Sequence, residues 1–111
     1  MPRQTEAPTL DDIRAAALRI APFAIRTPLV RLRVDAPAEV WLKLETLQPI
    51  GSFKIRGAAN AMLSAPRETL DRGVYTASAG NMAQGVAWSA RALGVPCEVV
   101  MPDSADRKSV V

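Results

Sequence analysis

The 111-residue chain carries a net charge of +3 and contains no histidine, which excludes Ser-His-Asp and Cys-His catalysis and the commonest zinc ligands within these residues. Apolar residues make up 49% of the chain but lie in runs too short to span a membrane, and the arginines are scattered where a nucleic-acid surface would cluster them. The start lacks the pattern of a secretory signal, so we expect a cytoplasmic protein with no membrane or nucleic-acid partner.

The first half of the chain predicts one helix followed by two extended segments. Thr9 and Asp12 resemble a capping box, and apolar residues at helical spacing predict a helix over residues 10–20. Two prolines then interrupt it, and a short extended stretch is predicted over residues 29–32. Alternating apolar and polar residues predict a strand over residues 40–45.

The second half alternates helix and strand. Ser52 is the predicted N-cap of a second helix, whose buried face consists of Ile55, Ala58, Ala59, Met62 and Leu63. A short helix over residues 67–72, a strand over 74–77, a third helix ended by Gly94 and a strand over 97–101 follow. This order predicts an α/β fold with an open parallel sheet and flanking helices, and Cys97 is expected in a core strand.

Lys54 is the first candidate for chemistry. It is predicted to lie one turn inside the second helix, where the positive helix end and partial burial would both favour the neutral amine, which is a nucleophile. The alternative is a solvated surface lysine. The chain has three lysines beside eleven arginines, which favours a specific reason for an amine at this position.

The second candidate is the loop over residues 78–81, between a predicted strand and a predicted helix. Ligands bind at such loops in open α/β sheets. Backbone N–H groups and the helix dipole suit a carboxylate or phosphate, and the Asn81 amide suits a ring hydroxyl or an oxyanion. The alternative is an ordinary turn in which Asn81 caps the helix.

Two motifs, in order along the chain, carry a resemblance to a known family. Residues 51–58 (GSFKIRGA) resemble the lysine motif of the serine/threonine dehydratases, which are tryptophan synthase β-like pyridoxal-phosphate enzymes of fold type II. Residues 77–85 (ASAGNMAQG) resemble the substrate-carboxylate loop of that family. Weaker matches at residues 26–29, 42–45 and 99–102 extend the resemblance to about residue 105.

The resemblance implies a pyridoxal 5'-phosphate cofactor held by Lys54 as a Schiff base, with the same lysine removing the α-proton of the substrate. Phe53 would wall the cofactor, and Asn81 would bond the oxygen on the pyridine ring. The substrate carboxylate would be held, mainly by backbone, at Ser78, Ala79, Gly80, Asn81, Met82 and Gln84. Elimination of the β-hydroxyl of L-threonine or L-serine would then yield a 2-oxo acid and ammonia.

Two positions depart from the family pattern. Met82 stands where the family usually has histidine, which leaves substrate choice open. Ala79 stands where related racemases place a serine that protonates the opposite face, and its methyl group favours dehydration over racemisation. The alternatives are another β-eliminating or racemising member of the family, or a noncatalytic α/β module that binds an anion at residues 78–81.

The resemblance also implies an incomplete two-domain architecture. Residues 1–38 would form the first helix and the start of the larger domain, and residues 39–105 part of the smaller, cofactor-binding domain. Residues 106–111 are expected to be a non-native tail, because they depart from the family pattern and can be back-translated as the start of a common sequencing adapter. The alternative is a natural polar helix start at the same place. The phosphate loop, the partner of the pyridine nitrogen and the metal site would lie beyond Val111.

Further expectations concern the isolated chain and its full-length parent. This chain alone is expected to be inactive and marginally stable, because a sheet edge and an apolar face stay uncovered. The full-length parent is expected to be a homo-oligomer. Its partner molecule is expected to be a small amino-acid substrate, and no metal ligand is assigned within these residues.

Overall fold

A computed structural model describes residues 5–104. The helices are α1 (Leu10–Ile20), α2 (Lys54–Ser64), α3 (Arg67–Asp71) and α4 (Asn81–Leu93), the strands are β1 (Leu29–Leu32), β2 (Val40–Lys43), β3 (Val74–Ala77) and β4 (Cys97–Val100), and a 3₁₀ turn covers Glu45–Leu47. The predicted bounds of α1, β1 and β3 are confirmed, while α3 and β4 each end one residue earlier than predicted. The strand predicted over residues 40–45 ends at Lys43, because the 3₁₀ turn begins at Glu45. The tail predicted for residues 106–111 lies outside the described residues.

The start of α1 is fixed by its own sequence. The Asp12 amide donates to Thr9 Oγ1 at 3.1 Å, and the Thr9 amide donates back to Asp12 Oδ2 at 2.7 Å. This reciprocal pair confirms the predicted capping box and satisfies two amides that a helix N-terminus leaves unpaired. The bonds from the Thr9 backbone and hydroxyl also lower the pKa of Asp12.

The predicted parallel sheet is confirmed for β3 and β4, which pair with Val74 opposite Cys97. The strands β1 and β2 lie outside this parallel sheet. These two strands form a separate antiparallel pair, with Leu29 opposite Lys43. The physical reason is the short connection over residues 33–39, because a parallel partner would need a crossover of roughly a dozen residues or more.

Two apolar clusters hold the helices together. The cluster between α1 and α2 contains Ile20, Ala24, Ile55 and Ala59, and the cluster around α2, α3 and α4 contains Met62, Leu70, Ala90 and Val95. The predicted buried face of α2 is therefore confirmed at four of its five positions, and Leu63 is only partly buried. Both clusters include residues of α2, so this helix is the centre of the described core.

The strands are far less buried than the helices. Every residue of β1 and β2 is exposed. The expectation that Cys97 lies in a core strand is wrong, because Cys97 is exposed and Val99 is the half-buried residue of β4. The β3–β4 pair has only two strands, so both of its outer edges and much of its surface stay open to solvent. Helix α4 packs against this β3–β4 pair.

Two kinds of feature are absent from residues 5–104. The longest helix, α4, has 13 residues, whereas a membrane span needs about 20, and no described helix is long and apolar enough to cross a bilayer. The same residues contain no group of three or more His, Cys, Asp or Glu side chains placed to hold a metal ion.

Candidate functional site

Lys54 is the first residue of α2, and the prediction that it lies one turn inside the helix is wrong. The chain enters α2 through a turn at Gly51, whose φ of 73° suits glycine. Phe53, and not Ser52 as predicted, occupies the N-cap position and has helical dihedral angles. The Arg56 amide donates to the Phe53 carbonyl at 3.0 Å, so the first turn is of the tight 3₁₀ type.

The start of α2 has little local capping. Ser52 Oγ accepts a long hydrogen bond of 3.4 Å from the Lys54 amide, and the first turn carries no acidic side chain. A close side-chain cap and an acidic first turn are the features that normally stabilise a helix N-terminus, and α2 has neither. The position of Lys54 therefore depends on contacts that other parts of the chain make with α2.

The Lys54 side chain is half-buried, and its ammonium lies 5.2 Å from the centre of the Phe53 ring. Among the described residues, Lys54 Nζ has no hydrogen-bond or ion-pair partner. Lys43 differs, because its Nζ donates to the Thr27 carbonyl oxygen. Of the two lysines that the structure describes, Lys54 is therefore the one whose amine remains available.

The predicted carboxylate loop connects β3 to α4. The Ser78 amide donates to the Val100 carbonyl at 3.0 Å, which fastens the loop to the end of the parallel pair. Ser78 Oγ accepts a hydrogen bond of 3.2 Å from the Gly80 amide. The Gly80 amide is therefore engaged within the loop in this conformation.

The start of α4 presents amides that have no acceptor within the helix. Gly80 is the N-cap, so the alternative in which Asn81 caps the helix is wrong. The Gln84 amide donates to the Gly80 carbonyl at 3.2 Å, as the first bond of the helix. The amides of residues 81–83 precede that bond and have no intrahelical acceptor, and they carry the positive end of the helix dipole. Asn81 is exposed at this end.

A close contact between α2 and α4 brings the two predicted segments together. A β-carbon built on Gly85 would lie 3.2 Å from the Lys54 carbonyl oxygen and 3.2 Å from the Ala58 β-carbon. Glycine at this position lets the backbones approach. Asn81 lies one turn before Gly85 on the same helix face, so the lysine and the amide-rich end of α4 share one side of the molecule.

Met82 and Gln84, which follow the loop within α4, have their side chains on different sides of the helix. Met82 is half-buried and lines an apolar groove of about 320 Å³ together with Ala58 and Met62. Gln84 lines a separate cavity of about 180 Å³ between α4 and the turn at Ile50. The structure therefore does not bring the side chains of Met82 and Gln84 together, which follows from their separation of two residues along a helix.

Sequence reasoning missed a partly buried polar network that reaches the first turn of α2. The Glu45 carboxylate accepts hydrogen bonds from Arg56 Nε, from Arg56 Nη2 at 3.2 Å, from Thr27 Oγ1 at 2.7 Å and from Gln48 Nε2 at 3.0 Å. Thr27 and Gln48 are each only 3% exposed. The Arg56 guanidinium lowers the pKa of Glu45 to about 2, with smaller contributions from Thr27 and Gln48 against the opposing effect of burial.

The sequence did contain a signal for this network. Glu45 ends the weaker family match at residues 42–45, and Arg56 lies inside the lysine motif. Neither position follows an apolar periodicity, however, and the contact joins residues 11 positions apart in different elements. Their pairing is a tertiary feature that local patterns do not encode.

Comparison with known proteins relates the chain to one enzyme family. The family model described as "Pyridoxal-phosphate dependent enzyme" matches residues 20–110. The L-threonine ammonia-lyase of Geobacter sulfurreducens is 59% identical over 71 residues, which cover 64% of this chain and 18% of that protein. The serine racemase of Schizosaccharomyces pombe is 41% identical over 106 residues, which cover 93% of this chain and 33% of that protein.

A solved structure gives the same relationship. Maize serine racemase matches with a TM-score of 0.84 at 38% identity, over 95% of this chain and 34% of that protein. The chain thus spans about a third or less of the length of these relatives. The matches extend over both predicted motifs and most of the chain. The chain belongs to the serine/threonine dehydratase family of pyridoxal-phosphate-dependent enzymes, whose cofactor is pyridoxal phosphate.

Proposed function

We propose that this chain supplies the cofactor lysine and the substrate-carboxylate loop of an ammonia-lyase that acts on L-threonine or L-serine. The observation that carries the proposal is the available amine of Lys54, held at the start of α2 against α4. Lys43, by contrast, is engaged with the Thr27 carbonyl. An amine, an aromatic ring and a helix N-terminus close together fit a cofactor that has an aldehyde, a pyridine ring and anionic groups.

Each residue then has a defined task in the proposed reaction. Pyridoxal phosphate, when bound, withdraws electrons from the α-carbon of the amino acid attached to it. Lys54 binds the cofactor and afterwards accepts the α-proton at Nζ. Phe53 covers one side of the bound ring, and the Asn81 amide donates to an oxygen on that ring. The amides at the start of α4 orient the substrate carboxylate.

The choice between elimination and racemisation depends on which side chain lies at the substrate face opposite Lys54. Racemisation requires an acid on the face opposite Lys54, because a proton must return from that side. Ala79 occupies the loop between Ser78 and Gly80 and is half-buried, and its methyl group cannot supply a proton. Racemase remains the second candidate, because serine racemases are among the similar proteins.

A chimera tests this proposal directly. Residues 39–104 of this chain would replace the matching segment of the Geobacter sulfurreducens ammonia-lyase, and 2-oxobutyrate formation from L-threonine would be measured alongside D-serine formation from L-serine. We expect 2-oxo acid formation without detectable racemisation, and loss of both on Lys54→Ala. Ala79→Ser should raise the ratio of racemisation to elimination, whereas the matched change Ala77→Ser should leave it unchanged.

The other readings predict different results in the same assay. A racemising family member would form D-serine with Ala79 in place. A noncatalytic module that binds an anion at residues 78–81 would give a folded chimera that forms neither product, whether or not Lys54 is present. The assignments of residues 1–38 and 39–105 to two domains, of a cytoplasmic location and of a homo-oligomeric parent stay predictions.

A further inference from the structure

We propose that the Glu45–Arg56 pair is a positioning device for Lys54, which fixes the first turn of α2 against the segment that precedes β1. This inference rests on the proposed role of Lys54 as the cofactor lysine. Glu45 and Arg56 would be positioning residues, since neither is assigned to the cofactor or the substrate.

The first argument is the location of Arg56. It lies two residues after Lys54, in the same turn, and its guanidinium donates to both carboxylate oxygens of Glu45. Arg56 Nη2 also donates to the Ile25 carbonyl at 3.2 Å. One side chain thus joins the lysine turn to two other segments of the chain, with the planar geometry that arginine offers to carboxylates.

The second argument is that the segments on the other side of the pair are themselves held. Gln48 Nε2 donates to the Ile25 carbonyl at 2.8 Å, and the Ile25 amide donates to Gln48 Oε1 at 2.9 Å. Gln48 Nε2 and Thr27 Oγ1 both donate to Glu45 as well. A carboxylate that accepts from three side chains has little freedom to rotate, so it provides a rigid anchor for Arg56.

The third argument is the contrast with the other ion pairs. Among the described residues, the remaining three pairs are Arg14–Asp11, Arg31–Glu39 and Arg67–Asp71, and every side chain in them is at least 49% exposed. Exposed pairs of this kind contribute little to the position of a chain segment. The Glu45 side chain is 16% exposed and the Arg56 side chain 36%. Since α2 also lacks an effective side-chain cap, this network supplies the side-chain hydrogen bonds that tie the start of the helix to other described segments.

The test measures the position of the lysine turn with and without the network. The 111-residue chain would be compared with Glu45→Gln, Arg56→Lys and the matched control Asp71→Asn, which breaks an exposed pair elsewhere. Amide hydrogen exchange at residues 56–59 reports on the first turn without any cofactor. Pyridoxal phosphate labelling, trapped with borohydride and mapped by peptide, reports on the preference for Lys54 over Lys43.

We expect Glu45→Gln to speed exchange at residues 56–59 by about tenfold or more relative to the rest of α2, and to lower the Lys54 preference. Arg56→Lys, which keeps the charge but loses the two-nitrogen geometry, should give a smaller change of the same kind. Asp71→Asn should change neither quantity. If Glu45→Gln unfolds the chain, the milder Arg56→Lys decides the matter.

Unchanged exchange and unchanged labelling preference in the folded variants would overturn the inference. Failure of the proposed function has a different signature, because the unsubstituted chain would then label Lys43 and Lys54 alike. In that case the hydrogen-exchange result still decides whether the network holds the turn. The two failures are therefore distinguishable.

Discussion

Gly85 lies against the main chain of Lys54, with the Lys54 carbonyl oxygen 3.2 Å from the position that a β-carbon at residue 85 would occupy. Helix α4 is therefore as close to the lysine turn as a glycine permits. This contact places the amide-rich start of α4 beside the candidate cofactor lysine.

Gly85→Ala should separate the two helices. The added methyl group must displace the Lys54 backbone or Ala58 by a few tenths of an ångström, which costs about 1–3 kcal/mol and outweighs a gain of about 1 kcal/mol in helix propensity. We expect a lower urea midpoint and a weaker preference for labelling at Lys54. Gly57→Ala is the matched control, because a β-carbon at Gly57 meets no atom within 4 Å, and it should stabilise α2 by about 0.5–1 kcal/mol. A stabilising effect of Gly85→Ala would contradict this account of the contact.

Stability should fall in acid because of Glu45. The bond from Arg56 lowers the pKa of Glu45 to about 2 from its ordinary value of 4.5, so the ionised form is favoured in the folded state. The resulting stabilisation is fully present above pH 5 and is lost as the pH falls from about 5 to 2. It amounts to roughly 3 kcal/mol at most, and solvent screening of the partly exposed pair lowers this value. Urea unfolding at several pH values measures it. Glu45→Gln should be less stable at pH 7 and should show a shallower pH dependence, and equal slopes for the two proteins would contradict the assignment.

Ser89 is fully buried in α4, and its hydroxyl has no hydrogen-bond partner among residues 5–104. An unsatisfied buried hydroxyl costs about 1–3 kcal/mol, so Ser89→Ala should raise the free energy of unfolding. Ser64→Ala is the control, because Ser64 Oγ on α2 donates to the Asn60 carbonyl at 2.7 Å at an exposed position. Both changes gain the higher helix propensity of alanine, and the difference between their urea midpoints isolates the effect of burial. A Ser89→Ala protein no more stable than Ser64→Ala would indicate that the hydroxyl is satisfied in solution.

The described residues leave large apolar side chains exposed on several elements, among them Leu18, Phe53 and Tyr75. Apolar side chains of the β1–β2 pair contribute to this exposed surface, and Trp41 alone is 51% exposed. We expect a urea midpoint below about 2 M, together with binding of an apolar dye. A midpoint above roughly 4 M would contradict the expected marginal stability.

Local patterns predicted the parts of the fold that local interactions determine. The capping box at Thr9 and the apolar spacing of α2 and α4 correspond to bonds and contacts within single elements or along one helix face. The antiparallel pairing of β1 with β2 and the bond from Arg56 to Glu45 join separate segments, and periodicity does not encode which segments meet. The exposure of Cys97 was missed for a related reason, since an apolar run indicates a strand but not what covers it.

The candidate site shows the same difference between features that local sequence determines and features that depend on tertiary contacts. Lys54 and the loop over residues 78–81 were identified from motifs, because the residue types themselves carry the resemblance. The position of Lys54 at the very start of α2 was missed because the Phe53 backbone, rather than a capping side chain, determines where the helix begins. The approach of Gly85 to Lys54 depends on helix packing and became evident only from the structure.

The central claim, that Lys54 is the cofactor lysine, is tested most directly by the selectivity of labelling. The purified chain would be titrated with pyridoxal phosphate, reduced with borohydride and mapped by peptide, alongside Lys54→Ala. Even if cofactor binding is weak, the account predicts that Lys54 takes the label in at least roughly tenfold excess over Lys43, a difference of about 1.4 kcal/mol, and that Lys54→Ala abolishes the selective signal. Equal labelling of Lys43, Lys54 and Lys108 would contradict the account.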